Sequence, residues 1–150
     1  MPSEKEDLAE LGRYAFSRLR DRLSGLPDDE FTWEPAPGVA TIAWRLGHIA
    51  DLLAEERNAT WLGVPGPVGP GPAADAAGAL LALDAAFAVW TTVLSAVPES
   101  SLAEPIGPVG GPHADSTRRA FVLHVLDELI HHGAEVALVR DLWEAKRGTS

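Results

Sequence analysis

Residues Leu123–Trp143 read LHVLDELIHHGAEVALVRDLW. Together with Phe121, the apolar residues Leu123, Leu126, Leu129/Ile130, Val136, Val139 and Trp143 recur at helical spacing, which predicts a helix from about Ser116 to Lys146. Glu128 and His132 stand four positions apart on it, so a carboxylate and an imidazole leave the same face. A second segment, Thr41–Asp51 (TIAWRLGHIAD), carries His48 on another amphipathic pattern. Three N/O donors from two helices are what a divalent metal with an open coordination position requires.

Working outward, Ser3 followed by Glu6 is a capping-box pattern, and Leu8, Leu11, Tyr14, Ala15, Leu19 and Leu23 predict helix one over 4–24. Residues 28–38 read as an ordered loop around Trp33. Helix two is predicted over 40–62, capped near Thr41, with Ile42, Leu46, Ile49 and Leu53 as its core stripe. The run Val64–Pro72 (VPGPVGPGP) is neither helix nor central strand, because proline and glycine dominate it. Helix three is predicted over 74–97, with Leu80, Leu81, Leu83, Phe87, Trp90 and Leu94. A second loop covers 102–115, with Ile106 and Val109 as its anchors. Four helices without a strand pattern predict an all-α four-helix bundle, up-down-up-down or a close variant, in one domain over 1–150.

Composition narrows the function classes. The formal net charge of −10 disfavours nucleic acid, since an acidic surface repels phosphates. The absence of cysteine excludes a disulfide framework, a thiolate metal site and a cysteine nucleophile from this chain. The acidic N-terminus, MPSEKEDLAELG, lacks the charge and apolar pattern of a signal peptide, and Asp75, Asp84 and Trp90 interrupt the alanine-rich run 73–97 as a membrane span. A cytoplasmic protein free of membranes is expected. Five Trp and long apolar stripes suggest a homodimer through helix faces. There is no G-x-S-x-G elbow and no P-loop.

Each site residue has two readings. His48 shares a helical sector with Trp44, Leu52 and Glu55; alone it reads as a half-buried histidine bonded to a carbonyl. Glu128 and His132 alone read as an i,i+4 surface pair worth a few tenths of a kcal/mol. Their flanks, Phe121, Val125, Leu129 and Val136, favour a strong partner instead, and a dication supplies one. The set suits Zn²⁺, and also Ni²⁺, Fe²⁺ or Mn²⁺. His124 and His131 lie within about a turn, as further ligands, outer-shell partners or exposed side chains. Glu55 and Glu135 are candidate catalytic bases, with surface or outer-shell placement as the competing reading. Trp44 and Arg140 are candidates for binding the cofactor or an anionic substrate; a pair with Glu144 competes for Arg140.

The segments TIAWRLGHIADLLAEE and HVLDELIHHGAEVALVRDLW resemble the helix-two and last-helix signatures of the DinB-like (YfiT-like) superfamily in order, spacing and the Trp of the first motif. The resemblance covers nearly the whole chain. It implies an antiparallel bundle with a metal at one end, held here by His48, Glu128 and His132. The His/Glu/His set is similar to that of the N-terminal domain of mycothiol-dependent maleylpyruvate isomerases, which use zinc. Those isomerases carry a second domain that contributes to catalysis, so isomerase activity itself is not expected of residues 1–150. The resemblance implies a thiol S-transferase, in which the metal activates mycothiol or a related low-molecular-weight thiol toward a small electrophile. Loops 63–73 and 102–115 would shape the substrate mouth. A metal-dependent hydrolase activating water and a non-catalytic module that binds a metal or small ligand are the alternatives.

Overall fold

The computed structural model describes residues 2–148. Six α-helices follow one another: α1 (Glu4–Arg22), α2 (Asp28–Phe31), α3 (Ile42–Ala54), α4 (Glu56–Leu62), α5 (Ala76–Ala96) and α6 (Arg118–Gly148). There is no strand among the described residues, only an isolated antiparallel bridge between Pro105 and Thr117. Side-chain caps open the long helices. Ser3 and Glu6 complete a capping box, Thr41 Oγ1 accepts from Trp44 N–H, Asp75 Oδ1 from Gly78 N–H, and Thr117 Oγ1 from Ala120 N–H.

The four long helices form a ring in which α1 touches α6 and α5, and α3 touches α5 and α6. Ion pairs at the seams give the directions. Glu4 meets Arg119 and Arg22 meets Asp141, so α1 and α6 run parallel. Lys5 donates to Ser95 O while Arg20 pairs with Asp84, so α1 and α5 are antiparallel. Arg45 meets Glu135 and His48 faces Glu128, so α3 opposes α6. The bundle is therefore up-down-down-up, a variant of the alternating arrangement.

Parallel α3 and α5 need a connection that travels the length of the bundle, and the Pro-Gly run makes it. About a dozen extended residues reach about 40 Å, more than the length of α5. The strap lies close against the helices. A Cβ on Gly66 would come within 2.8 Å of Ala59 Cβ, and one on Gly69 within 2.8 Å of Ala54 Cβ. Glycine is thus required for close approach, and proline holds the segment extended.

The core contains Leu46, Ile49, Leu53, Leu83, Trp90, Leu126 and Leu129, all at most 1% exposed. Four residues read as core from spacing, Leu11, Tyr14, Leu81 and Leu123, are exposed, because the apolar stripes of α1, α5 and α6 are wider than the buried strip. Of the predicted loop anchors, Ile106 is buried and Val109 is exposed. Residues 28–38, read as loop, begin with the short helix α2; a 3-10 turn at Glu99–Ala103 leads into the 102–115 loop, and a second, Pro108–His113, lies within it.

Helix two, predicted as one rod over 40–62, is broken. Glu55 adopts extended dihedrals (φ −63°, ψ 143°) and separates α3 from α4. The buried Asn58 explains why the break is stable: its Nδ2 donates to Leu52 O at 2.8 Å, satisfying a carbonyl that the kink would orphan. By length and hydropathy alone α5 is long and apolar enough to cross a membrane. In the bundle it lies against α3, with Leu83, Ala86, Trp90 and Val93 in the core and Asp84 on Arg20.

Candidate metal centre

The seam between α3 and α6 brings His48, Glu128 and His132 together. His132 Nε2 lies 3.2 Å from Glu128 Oε2, and His48 Nε2 lies 3.9 Å from the same oxygen. The three donor atoms all fall within 4.8 Å of one another. Ligands at about 2.1 Å from a tetrahedral ion sit about 3.4 Å apart, so the spacing suits a single divalent cation with little adjustment. Two imidazole nitrogens and one carboxylate oxygen are also a suitable donor set chemically. The side chains of His48 and Glu128 are 39% and 32% exposed, so one side of the cluster is open, while His132 is 14% exposed.

Neighbouring groups hold the histidines. Trp44 stacks on His48 with ring planes 8° apart and centroids at 5.0 Å, forming one wall beside it. The His48 and His132 rings meet edge to face at 4.5 Å. Burial pushes the His132 imidazole below its ordinary pKa, and the neighbouring His48 adds to this; Glu128 pulls the other way without prevailing. A neutral imidazole is the form that ligates a metal.

Glu135, one turn further along α6, backs the cluster. Its Oε2 accepts from Arg45 Nη1, and its Oε1 lies 2.8 Å from His132 Nδ1 and 3.0 Å from His131 Nε2. The His132 Nδ1 contact is close but not aligned as a hydrogen bond, which leaves both buried atoms unsatisfied. A small ring rotation would make the Nδ1–H donate to Glu135 and present Nε2 to a metal, the usual arrangement of a carboxylate behind a ligating histidine. His131, His132 and Glu135 form a second compact group of donors. Arg45 already compensates the Glu135 charge there, which makes this group less suited than the first to a cation.

The remaining candidates sit elsewhere. Glu55 occupies the kink and pairs with Arg57 at 2.5 Å. Arg140 is bound to the buried Glu30, Nε–Oε2 2.7 Å and Nη2–Oε1 3.2 Å, and its Nη1 donates to Arg22 O and Ser24 O at the end of α1. Glu144, the partner weighed for it, lies beside Arg147. His131 is exposed beside Glu135, and His124 lines a separate cavity with Arg57 and Trp61. Loop 102–115 lends Ile106 and His113 to that cavity, whereas the strap lies over the α3–α5 seam, beside Ala43, Ala50 and Ala79.

Sequence reasoning missed Arg45 and Glu30. The available signal was a charge inside an otherwise apolar stripe, for Arg45 in IAWRLGHIA; such a group needs an opposite charge on a facing element. Nothing local to Glu30 pointed to Arg140, 110 positions away.

A crystal structure described as a conserved protein of a locus from Enterococcus faecalis is similar in fold, with a TM-score of 0.73 at 18% identity over 95% of this chain and 98% of that one. No curated protein matches the chain in sequence. The family model of the DinB superfamily matches residues 13–136, a span that takes in α3, most of α6 and all three candidate ligands. With more than half of its length covered, the chain belongs to the DinB superfamily.

Proposed function

We propose that the protein is a metal-dependent enzyme that transfers a low-molecular-weight thiol of the mycothiol kind to a small electrophile. The observation that carries this reading is the convergence of the His48, Glu128 and His132 donor atoms within 4.8 Å, on a seam with one open side. A divalent ion held there would lower the pKa of a coordinated thiol and keep its sulfur as a thiolate at neutral pH. The chain has no cysteine, so the sulfur would come from an external thiol.

The protein's own residues would orient and support. Glu135, tied down by Arg45, lies 2.8 Å from His132 Nδ1 and would hold that ring once the Nδ1–H turns toward it; Trp44 stacks on His48. The disposition of the carboxylates supports transfer over hydrolysis. Glu55 is engaged with Arg57, and both Glu135 oxygens have charged or imidazole neighbours, so neither stands ready to shuttle a proton from water.

The test is metal content by elemental mass spectrometry on untagged protein, beside His48→Ala and His132→Ala. About one Zn or Ni per chain, lost in both variants, supports the site. Product analysis with and without added thiol then separates transfer from hydrolysis. A wild-type protein that holds no metal and takes up none would overturn the enzyme reading and leave a bundle with structural histidines.

A further inference from the structure

One turn from Glu128 on the same face of α6, the kink at Glu55 swings α4 away and leaves a cavity of about 270 Å³. Phe121, His124, Glu128 and His132 follow one another at steps of three or four on α6, so the cavity begins about 6 Å along the axis from the metal ligands. Its walls are Trp61 from α4, Phe121 and His124 from α6, and Ile106 and His113 from the 102–115 loop. The Trp61 ring lies 4.9 Å from Phe121 and 5.8 Å from His113, centroid to centroid. Over these rings sits the Arg57 guanidinium, 5.0 Å from the Trp61 centroid and 5.5 Å from that of Phe121. Glu55 engages Nη2 of Arg57, and among the described residues no other hydrogen bond occupies its guanidinium.

Resting on the metal-centre reading for its role in catalysis, we infer that this cavity is the substrate subsite and that it takes a small aromatic carboxylate. The size fits: a cavity of about 150 Å³ accommodates benzene, so the larger space here holds one ring with a carboxylate and a short substituent, and no nucleotide. The walls fit, because flat rings pack on Trp and Phe faces. The charge fits, because a guanidinium with free N–H groups binds a planar carboxylate through two parallel hydrogen bonds. In a chain of net charge −10, the ionisable side chains lining this cavity are Arg57, His113 and His124, without a carboxylate among them.

The test is calorimetric titration of the full chain with benzoate, benzamide and cyclohexanecarboxylate, on protein as isolated, on metal-stripped protein, and on Arg57→Gln, Arg57→Lys and Trp61→Leu. Benzoate is expected to bind with a Kd of about 1 mM or tighter, and the other two about tenfold more weakly or worse. Arg57→Gln should weaken benzoate about tenfold or more, with Arg57→Lys recovering part of the loss because it keeps the charge without the planar fork. Benzoate binding that depends on Arg57 in a protein unable to hold metal would leave the subsite standing and overturn the metal-centre reading alone. No benzoate binding at about 10 mM, binding equal in Arg57→Gln, or binding that vanishes on metal removal yet ignores Arg57 would each overturn the subsite.

Discussion

Helix α6 carries two polar clusters, and they are built to opposite standards. Near its C-terminal end, Arg140 gives two nitrogens to Glu30, which is 1% exposed, and a third to two carbonyls at the end of α1. Two turns earlier, His132, Glu128 and His48 crowd together, half open, with the His132 Nδ1 and Glu135 Oε1 atoms buried and unsatisfied. The first cluster is complete within the protein. The second brings two imidazoles to one carboxylate and leaves room beside them. A charge placed for stability finds its hydrogen bonds inside the chain; donors placed for chemistry remain available to something from outside.

The comparison can be broken most sharply at Arg140. Arg140→Ala strands the Glu30 carboxylate in the core and should destabilise the fold by about 3–5 kcal/mol in denaturant titrations. Glu30→Leu combined with Arg140→Met should recover much of that loss, since a well-packed apolar pair often replaces a buried ion pair. His132→Ala should do the reverse, abolishing metal uptake while shifting metal-free stability by about 1 kcal/mol or less. A large loss of metal-free stability in His132→Ala would mean that the two clusters are the same kind of object. Glu135→Gln should weaken metal binding by about 10–100-fold in chelator competition, because it loosens the support of His132 and leaves the Arg45 charge uncompensated nearby.

The smallest effect concerns protons. In the metal-free protein His132 should titrate below its ordinary 6.5 in histidine NMR spectra, because burial and His48 disfavour its charged form. Since the unfolded chain then protonates first, His132 should make the fold less stable as pH falls below 6.5 toward the folded value, and should not contribute to any change above 6.5. His48→Ala should move the titration back toward 6.5. A His132 that titrates above 6.5 would mean that Glu128 dominates its surroundings and that the cluster is an ordinary surface pair.

Much of this was legible in the residues. Period and punctuation located the four long helices because the caps Ser3 and Thr41 and the proline and glycine stretches between the helices are local signals. Glu128 and His132 were legible because a four-residue spacing on one helix survives any tertiary arrangement, whereas His48, on another helix, joined them through its own amphipathic segment and the family resemblance. What stayed hidden was non-local. The break at Glu55 depends on Asn58 reaching back to the Leu52 carbonyl, and an unbroken amphipathic pattern across 40–62 concealed it. The assignment of Arg140 to Glu30, and of Arg45 to Glu135, required knowing which helices are neighbours. The exposure of Leu81 and Leu123 shows the same limit, since spacing defines a stripe but not the width that its neighbours cover.

The parallel pairing of α1 with α6 also bears on how the molecule assembles. The first helix finds its principal neighbour in the last one, and His48 meets Glu128 across eighty positions of chain. Closing such a loop carries an entropy penalty of about 4 kcal/mol before any contact repays it. During synthesis the emerging chain therefore cannot complete its core, nor assemble its candidate metal ligands, until α6 has left the ribosome. A metal held there would bind after α1 to α6 have packed, as the last part of the bundle to form rather than as its nucleus.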